Sequence, residues 1–178
     1  QSLINSYLVP GSPAVIFDYS EIRPAGAPIK TFGGSASGPE PLKELHKSVR
    51  GILDARIGQK LSLTDIADIG NLIGVCVVAG NVRRSAELFM GPTTPEFLGL
   101  KDYTQESGLR RASWSWMSNN SVETNVNEDL DPIVPGIIAN GEPGVIWMDT
   151  TRAYGRRGDP PNYKDHRAAG YNPCLHPD

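Results

Sequence analysis

Glycine and proline punctuate this chain closely: 19 Gly and 15 Pro make up about a fifth of its 178 residues. That share exceeds the usual ~12% but falls short of the ~25–30% that marks low-complexity disorder, so the fold must be compact and rich in ordered loops. Hydrophobic residues form 39% of the chain, enough for one globular unit of roughly 100–200 residues. The longest apolar stretch, Leu72 to Gly80, has nine residues, about half of the ~18 that suggest a membrane span, so no membrane role is expected. With 17 Lys and Arg against 20 Asp and Glu, the net charge is −3, and no dense basic block offers a footprint for nucleic acid. Two cysteines, Cys76 and Cys174, exclude a disulfide-stapled secreted scaffold and fit a reducing compartment, the cytoplasm. The opening QSLINSYLVPGSP has no secretory pattern and no initiator Met, and the sequence stops at NPCLHPD, so a piece of a longer polypeptide is expected.

Periodicity assigns the elements. Ala14–Asp18 (AVIFD) follows a Gly-Ser-Pro turn and reads as a short buried strand, and residues 24–38 as an ordered loop or turn. Leu42, Leu45, Val49, Ile52 and Leu53 recur at helical spacing between Pro39/Pro41 and Gly58, which predicts a helix. A second helix starts near Ser62 or Thr64 and buries Ile66, Ile69 and Ile73; Val75–Val78 either extend it or open a strand. A Gly-Asn loop then leads to a strand over Ala86–Met90, and WSWMSNNSVE alternates with period two, as a half-buried strand does. Asn140-Gly141 is a turn, Gly144–Met148 another buried strand, and Arg152–Gly170 a polar surface loop. Strands alternating with helices predict an α/β fold without internal repeats.

Several motifs carry chemistry. GGSASGP, with Gly33, Gly34, Ser35 and Ser37, lies between an extended segment and a helix start, where backbone N–H groups and the helix dipole suit an anion. It lacks the Lys-Ser/Thr of a P-loop and the spacing of a dinucleotide fingerprint, so a plain tight turn is the other reading. Arg83 and Arg84 follow Gly80-Asn81 on a loop, either meeting nucleotide phosphate or base edges, or forming a surface pair with carboxylates such as Glu87. Cys76 sits among aliphatic residues as an inert buried thiol. Cys174 differs, because Asn172-Pro173 places it on a stiff loop tip. His46, His166 and His176 do not give metal-ligand spacing, so no metal is expected, and His176, two residues from Cys174, is badly placed to orient as a hydrolase's base.

Taken in order, FDYSEIRPAGAPIKTFGGSASGPEPL, IGVCVVAGNVRRSAEL, WMSNNSV, NGEPGVIWMD and GYNPC resemble the adenosylcobalamin-dependent, class II ribonucleoside-triphosphate reductases over Phe17 to Cys174. The resemblance implies that residues 1–178 are an incomplete central part of a catalytic ten-stranded α/β barrel, in which a finger loop carries a radical cysteine. Cys174 would be that cysteine, Asn172 would hydrogen-bond the ribose, and the loops bearing Gly33, Gly34, Ser35, Ser37 and Gly80, Asn81, Arg83, Arg84 would be specificity loops. A ribonucleoside triphosphate substrate, a deoxynucleotide effector, adenosylcobalamin held mainly by regions outside this sequence, and a thioredoxin-type reductant are implied with it. A nucleotide-binding module without chemistry is the alternative of another class.

One position departs from the family pattern. Asn-Pro-Cys-x-Glu places an acid/base carboxylate where this chain has His176. Cys-Leu-His-Pro-Asp over residues 174–178 resembles the opening of an intein. Cys174 would then be a splicing nucleophile in the precursor, and the chain the N-terminal host segment; truncation or a diverged loop are the alternatives.

Overall fold

The computed structural model describes residues 1–31, 33–81, 85–155 and 158–171, and the chain divides into two units, Gln1–Ser85 and Ala86–Asp178. The first is helical. Helix α1 spans Ser2–Leu8, α2 Glu40–Ala55 and α3 Leu63–Val78. Pro39 and Pro41 open α2 at positions whose N–H groups would lack an intrahelical partner, so proline costs nothing there. Its aliphatic stripe then buries Val49 and Leu53 against Leu3 and Ile69, with Leu45, Ile52, Leu61 and Leu72 around them. Ser62 starts α3 through a capping box: its Oγ accepts from Asp65 N–H at 3.1 Å, and its own N–H donates to Asp65 Oδ2 at 2.7 Å. Arg56 closes on the same carboxylate at 2.6 Å. Burial pushes the Asp65 carboxyl up, but the bonds from Arg56 and Ser62 outweigh it and hold it below its ordinary range.

Two expectations for this unit are corrected. Residues 14–18 are extended but pair with no strand, and Ile16 is 96% exposed. The segment is a strap along α2. Its odd-numbered residues meet side chains spaced i, i+3 and i+7 on the helix: Arg50 Nη2 donates to Val15 O at 3.0 Å, and the Phe17 ring stacks on His46 at 3.7 Å. Tyr19 Oη lies 2.8 Å from His46 Nδ1, under Lys43 Nζ. A short apolar run reads the same whether it pairs in a sheet or lies along a helix, hence the misreading. In α3, Ile69 is buried, but Ile66 and Ile73 are 55% and 43% exposed. They lie on a stripe turned about 40–60° from Ile69, the residue that meets the cluster. Val75–Val78 extend the helix.

The second unit is built on a parallel sheet in the order β1-β2-β3. Strand β1 is Glu87–Gly91, β2 Ser118–Thr124 and β3 Gly144–Trp147. Parallel neighbours need crossovers. Helices α4 (Pro95–Leu98) and α5 (Glu106–Arg111) supply the first, α6 (Val134–Asn140) the second, and α7 (Met148–Ala153) follows β3. The register sets Glu87 opposite Ser118 and Thr124 opposite Trp147. Strand β2 buries Ser118, Asn120, Val122 and Thr124 on one face and exposes Asn119 and Glu123 on the other, the alternation expected of a half-buried strand, but Ser115–Met117 form a 3₁₀ turn before it instead of continuing it. Phe97, Leu100, Met117, Ile133 and Met148, outside the strands, are buried together with Val122 and Ile146 of the sheet. A Cβ at Gly91 would stand 2.5 Å from the Phe97 ring, so glycine there admits that aromatic.

Beneath the N-terminal end of β2, Lys101 Nζ pairs with Glu142 Oε1 at 2.7 Å and donates to Ser118 O, while Asn120 N–H donates to Glu142 Oε2 at 3.3 Å. The α/β expectation holds as helices on a small parallel sheet. Among the described residues no helix is long and apolar enough to cross a membrane.

Candidate functional site

The glycine-rich loop folds back on itself. Gly26 N–H donates to Ala36 O at 2.9 Å, Ala36 N–H to Ala27 O at 2.8 Å and Ile29 N–H to Gly34 O at 2.9 Å, so 26–36 form a tight antiparallel pair around the Pro28–Ser35 bridge. Its turn needs left-handed backbone at Gly33 and Gly34, where φ is 73° and 84°. The second loop meets this one. Gly80, at φ 87°, lies so close to Ser37 that a Cβ on it would stand 3.1 Å from Ser37 Cβ. Asn81 follows, also left-handed at φ 57°, with its N–H on Val78 O at 3.1 Å. Two stretches separated by more than forty residues in sequence, both singled out above, thus share one corner of the first unit.

The corner bounds a cleft of about 730 Å³, within the ~300–1,000 Å³ typical of small-molecule sites. Cys76, Val77 and Ala79, at the end of α3, make one wall, and Ile29, Ser35 and Ser37 face it. Arg23 and Lys30 also line it and are exposed. An apolar wall, three hydroxyls from Thr31, Ser35 and Ser37, and two cations suit a ligand with a flat body and an anionic end. The N-terminus of α2 contributes less than expected. Pro39 and Pro41 have no N–H to offer, and Glu40 puts a carboxylate in the first turn, bonded to Lys43 Nζ at 2.7 Å. Attraction for an anion therefore rests on Arg23 and Lys30, which the sequence reading missed. Their signal was weak: single cations on either side of a proline-rich stretch.

Cys76 is half-buried rather than fully enclosed, and burial pushes its thiol above the ordinary range, which keeps it protonated and unreactive. Arg83, Arg84, Asn172 and Cys174 lie outside the described residues.

In the second unit, a cleft of about 650 Å³ lies beside β3, lined among others by Trp147, Thr150, Thr151, Tyr154, Asp165 and Tyr171. The polar tail returns to α7 here: Asn162 and Tyr163 donate N–H bonds to Ala153 O at 2.9 and 3.0 Å, and Arg152 Nε to Ala168 O at 3.1 Å. Tyr171 Oη meets Thr151 Oγ1, which itself donates to Trp147 O at 2.8 Å. At the C-terminal end of β2, Thr124 Oγ1 and Asn125 Nδ2 bond Glu128 at 2.8 and 2.7 Å and lower its pKa. Glu87, at the start of β1, goes the other way: burial raises its carboxyl. Among the described residues no three His, Cys, Asp or Glu side chains assemble to hold a metal ion.

Comparison with known proteins agrees with the motifs. A family model described as "B12-dependent ribonucleotide reductase, insertion domain" matches residues 4–53. The chain is 48% identical over 98% of its length to a "Probable adenosylcobalamin-dependent ribonucleoside-triphosphate reductase" of Dictyostelium discoideum, of which it covers 23%. Identity to the adenosylcobalamin-dependent ribonucleoside-triphosphate reductase of Euglena gracilis is 49%, over 90% of this chain and 22% of that one. A crystal structure of a B12-dependent, class II ribonucleotide reductase superposes with a TM-score of 0.77 at 38% identity, covering 92% of this chain and 22% of that chain. The chain thus spans less than a quarter of the length of these relatives. In sequence over nearly its whole length, and in fold, it belongs to the adenosylcobalamin-dependent, class II ribonucleotide reductases.

Proposed function

We propose that this chain is part of the catalytic subunit of a cytoplasmic ribonucleotide reductase that converts ribonucleoside triphosphates to deoxyribonucleotides. The observation that carries the reading is the run of identity, 48% over 98% of the chain, to a reductase named for that activity. On this reading the three parallel strands belong to a ten-stranded α/β barrel, and Cys174 is the residue where sulfur-centred radical chemistry occurs. Its thiyl, which adenosylcobalamin would generate in the complete enzyme, takes hydrogen from the ribose 3′ carbon; the 2′ hydroxyl takes up a proton and leaves as water, and the two electrons of the reduction come from the thioredoxin-type dithiol. Sulfur suits the task because its S–H bond is close in strength to an activated C–H bond, so the hydrogen can later return. Asn172 hydrogen-bonds the ribose, and a rigid scaffold holds the sugar and excludes water.

The paired loops of the first unit carry effector identity, with a deoxynucleotide as the ligand of the 730 Å³ cleft. Its anionic end faces Arg23 and Lys30, and Arg83 and Arg84 add forked donors from the second loop. Adenosylcobalamin, a corrin bearing a nucleotide loop and an adenosyl group, is larger than the ligands such clefts enclose. Neither cleft fits it, and its site and that of a thioredoxin-type reductant lie in other parts of the enzyme.

The test is the complete reductase carrying this segment, supplied with adenosylcobalamin, a dithiol and a ribonucleoside triphosphate. Deoxyribonucleotide should form, Cys174→Ser should stop it while leaving substrate binding intact, and Arg83→Ala or Arg84→Ala should change which base is reduced when a deoxynucleotide is added. Turnover that survives Cys174→Ser would refute the assignment. His176, standing where the family pattern has glutamate, favours a second reading, in which the chain is host sequence of a protein-splicing precursor. Mass spectrometry of the product of the whole reading frame distinguishes them, since splicing releases an insert beginning at Cys174.

A further inference from the structure

We propose that Tyr19 and His46 are positioning residues for the cleft of the first unit: their hydrogen bond pins the strap at residues 14–19 to α2 and so holds Arg23 in the cleft's lining. The inference rests on the reading of that cleft as a deoxynucleotide site. Arg23 is exposed and, among the described residues, forms no ion pair. Its place therefore comes from the backbone that carries it, and the strap sets that backbone. Val15 meets Arg50, Phe17 meets His46, and Tyr19 lies under Lys43, so the strap runs antiparallel to α2, toward the helix N-terminus. Ser37 and Gly38, just ahead of that N-terminus, line the same cleft as Arg23.

Each step from the pin to Arg23 is short and tied. Tyr19 Oη lies 2.8 Å from His46 Nδ1, and the Phe17 ring stacks on the same imidazole at 3.7 Å. Tyr19 O then accepts from Ile22 N–H at 3.1 Å, closing a turn, while Ser20 N–H donates to Asp18 Oδ1 at 2.9 Å. Ile22 and Arg23 come out of this turn into the cleft. Pro24 has a fixed φ and drives Arg23 toward extended backbone, so few free torsions separate the pinned tyrosine from the guanidinium's own Cα. On the far side, a Cβ at Gly38 would stand 3.0 Å from Ala25 Cβ, so the chain just past Arg23 rests on the residue that leads into α2. Arg23 is thus held between two supports, the His46 side chain and the Gly38 backbone. Only the first is made by side chains, and substitution can remove it alone.

The test uses the complete reductase carrying this segment. Equilibrium dialysis gives its Kd for the tightest bound of dATP, dGTP, dCTP and dTTP, and needs no turnover. Tyr19→Phe and His46→Phe each keep an aromatic ring and delete the hydrogen bond, so each should raise that Kd about fivefold, the factor that one hydrogen bond is worth. The double variant should bind no more weakly than either single one. At saturating deoxynucleotide, kcat and the KM for the ribonucleoside triphosphate should keep their parental values. Arg23→Ala should itself raise the Kd, and adding Tyr19→Phe to it should cost nothing more. That comparison separates positioning from general loosening, because a merely structural role would weaken the Arg23→Ala enzyme further. An unchanged Kd in either single variant, additive singles, or a further loss in the Arg23→Ala background would each overturn the proposal. A parent reductase that binds none of the four deoxynucleotides would instead remove the reading of the cleft, and this inference with it.

Discussion

Gly80→Ala tests the contact between the two loops most directly. Two costs arise at one position. The backbone is at φ 87°, where an L-residue pays about 1–2 kcal/mol for its Cβ. The new Cβ would also stand 3.1 Å from Ser37 Cβ, inside the ~3.5–4.0 Å optimum for carbon pairs. Both residues are exposed and the loops can give slightly, so this second part sits at the low end of overpacking, no more than about 1 kcal/mol. A total of about 2 kcal/mol corresponds to roughly thirtyfold in the equilibrium between paired and released loops. Amide hydrogen exchange reads that equilibrium locally, because the Ala36 N–H is held by Ala27 O at 2.8 Å and the Gly26 N–H by Ala36 O at 2.9 Å. Protection at both amides should fall about thirtyfold. Gly80→Asn should cost less, since asparagine tolerates left-handed backbone. Adding Ser37→Gly to Gly80→Ala should recover the contact part and leave the backbone part, a non-additivity that isolates the touch between loops. Protection that stays at the parental value in Gly80→Ala, or a Ser37→Gly change that is merely additive, would refute the packing of Gly80 on Ser37.

Three further outcomes follow from the packing and the charges. Lys101→Met should destabilise the second unit by about 3 kcal/mol in urea unfolding, because it leaves Glu142, 22% exposed, with only the 3.3 Å bond from Asn120 N–H; adding Glu142→Gln should return part of the loss. Leu53→Ala, at a side chain 2% exposed, should cost ~3 kcal/mol and lower Tm by roughly 6–12 °C. His46 has its pKa held below the ordinary 6.5, first by burial and then by the positive charge of Arg50. The folded state thus binds fewer protons than the unfolded one, so its contribution is complete above pH 6.5 and is lost as pH falls through the lower folded value. His46→Phe, which keeps the ring against Phe17, should flatten the stability profile between about pH 5 and 7.

What was legible in the sequence follows from how local each signal is. Helix α2 could be read because one stripe, Leu45-Val49-Ile52-Leu53, sets its period and prolines mark its start. Gly33, Gly34 and Gly80 could be read as loop residues because left-handed backbone is a property of single positions. The run at 14–18 could not, since its partner is a set of side chains on α2 some thirty residues away, and a short apolar run does not name its partner. Ile66 and Ile73 failed similarly: periodicity shows that a helix has an apolar side, but not which part of a broad apolar side meets a neighbour.

The same distinction separates the parts of the site. A glycine before an asparagine announces a turn, yet that Gly80 should rest on Ser37 depends on where α3 ends. The cations of the cleft, Arg23 and Lys30, are ordinary surface residues in sequence and acquire meaning only when the loop turns them toward one wall. Thr151 is the extreme case. It sits in a short helix with nothing to mark it, twenty residues before Tyr171, and only the fold shows its hydroxyl donating to Trp147 O while it meets Tyr171 Oη. Residues that answer to backbone geometry can be found one at a time, whereas residues that hold another residue in place need the fold first. Arg23 and Lys30 need the fold as well: no motif marks them, and the cleft they line exists only once residues 26–36 have folded back on themselves.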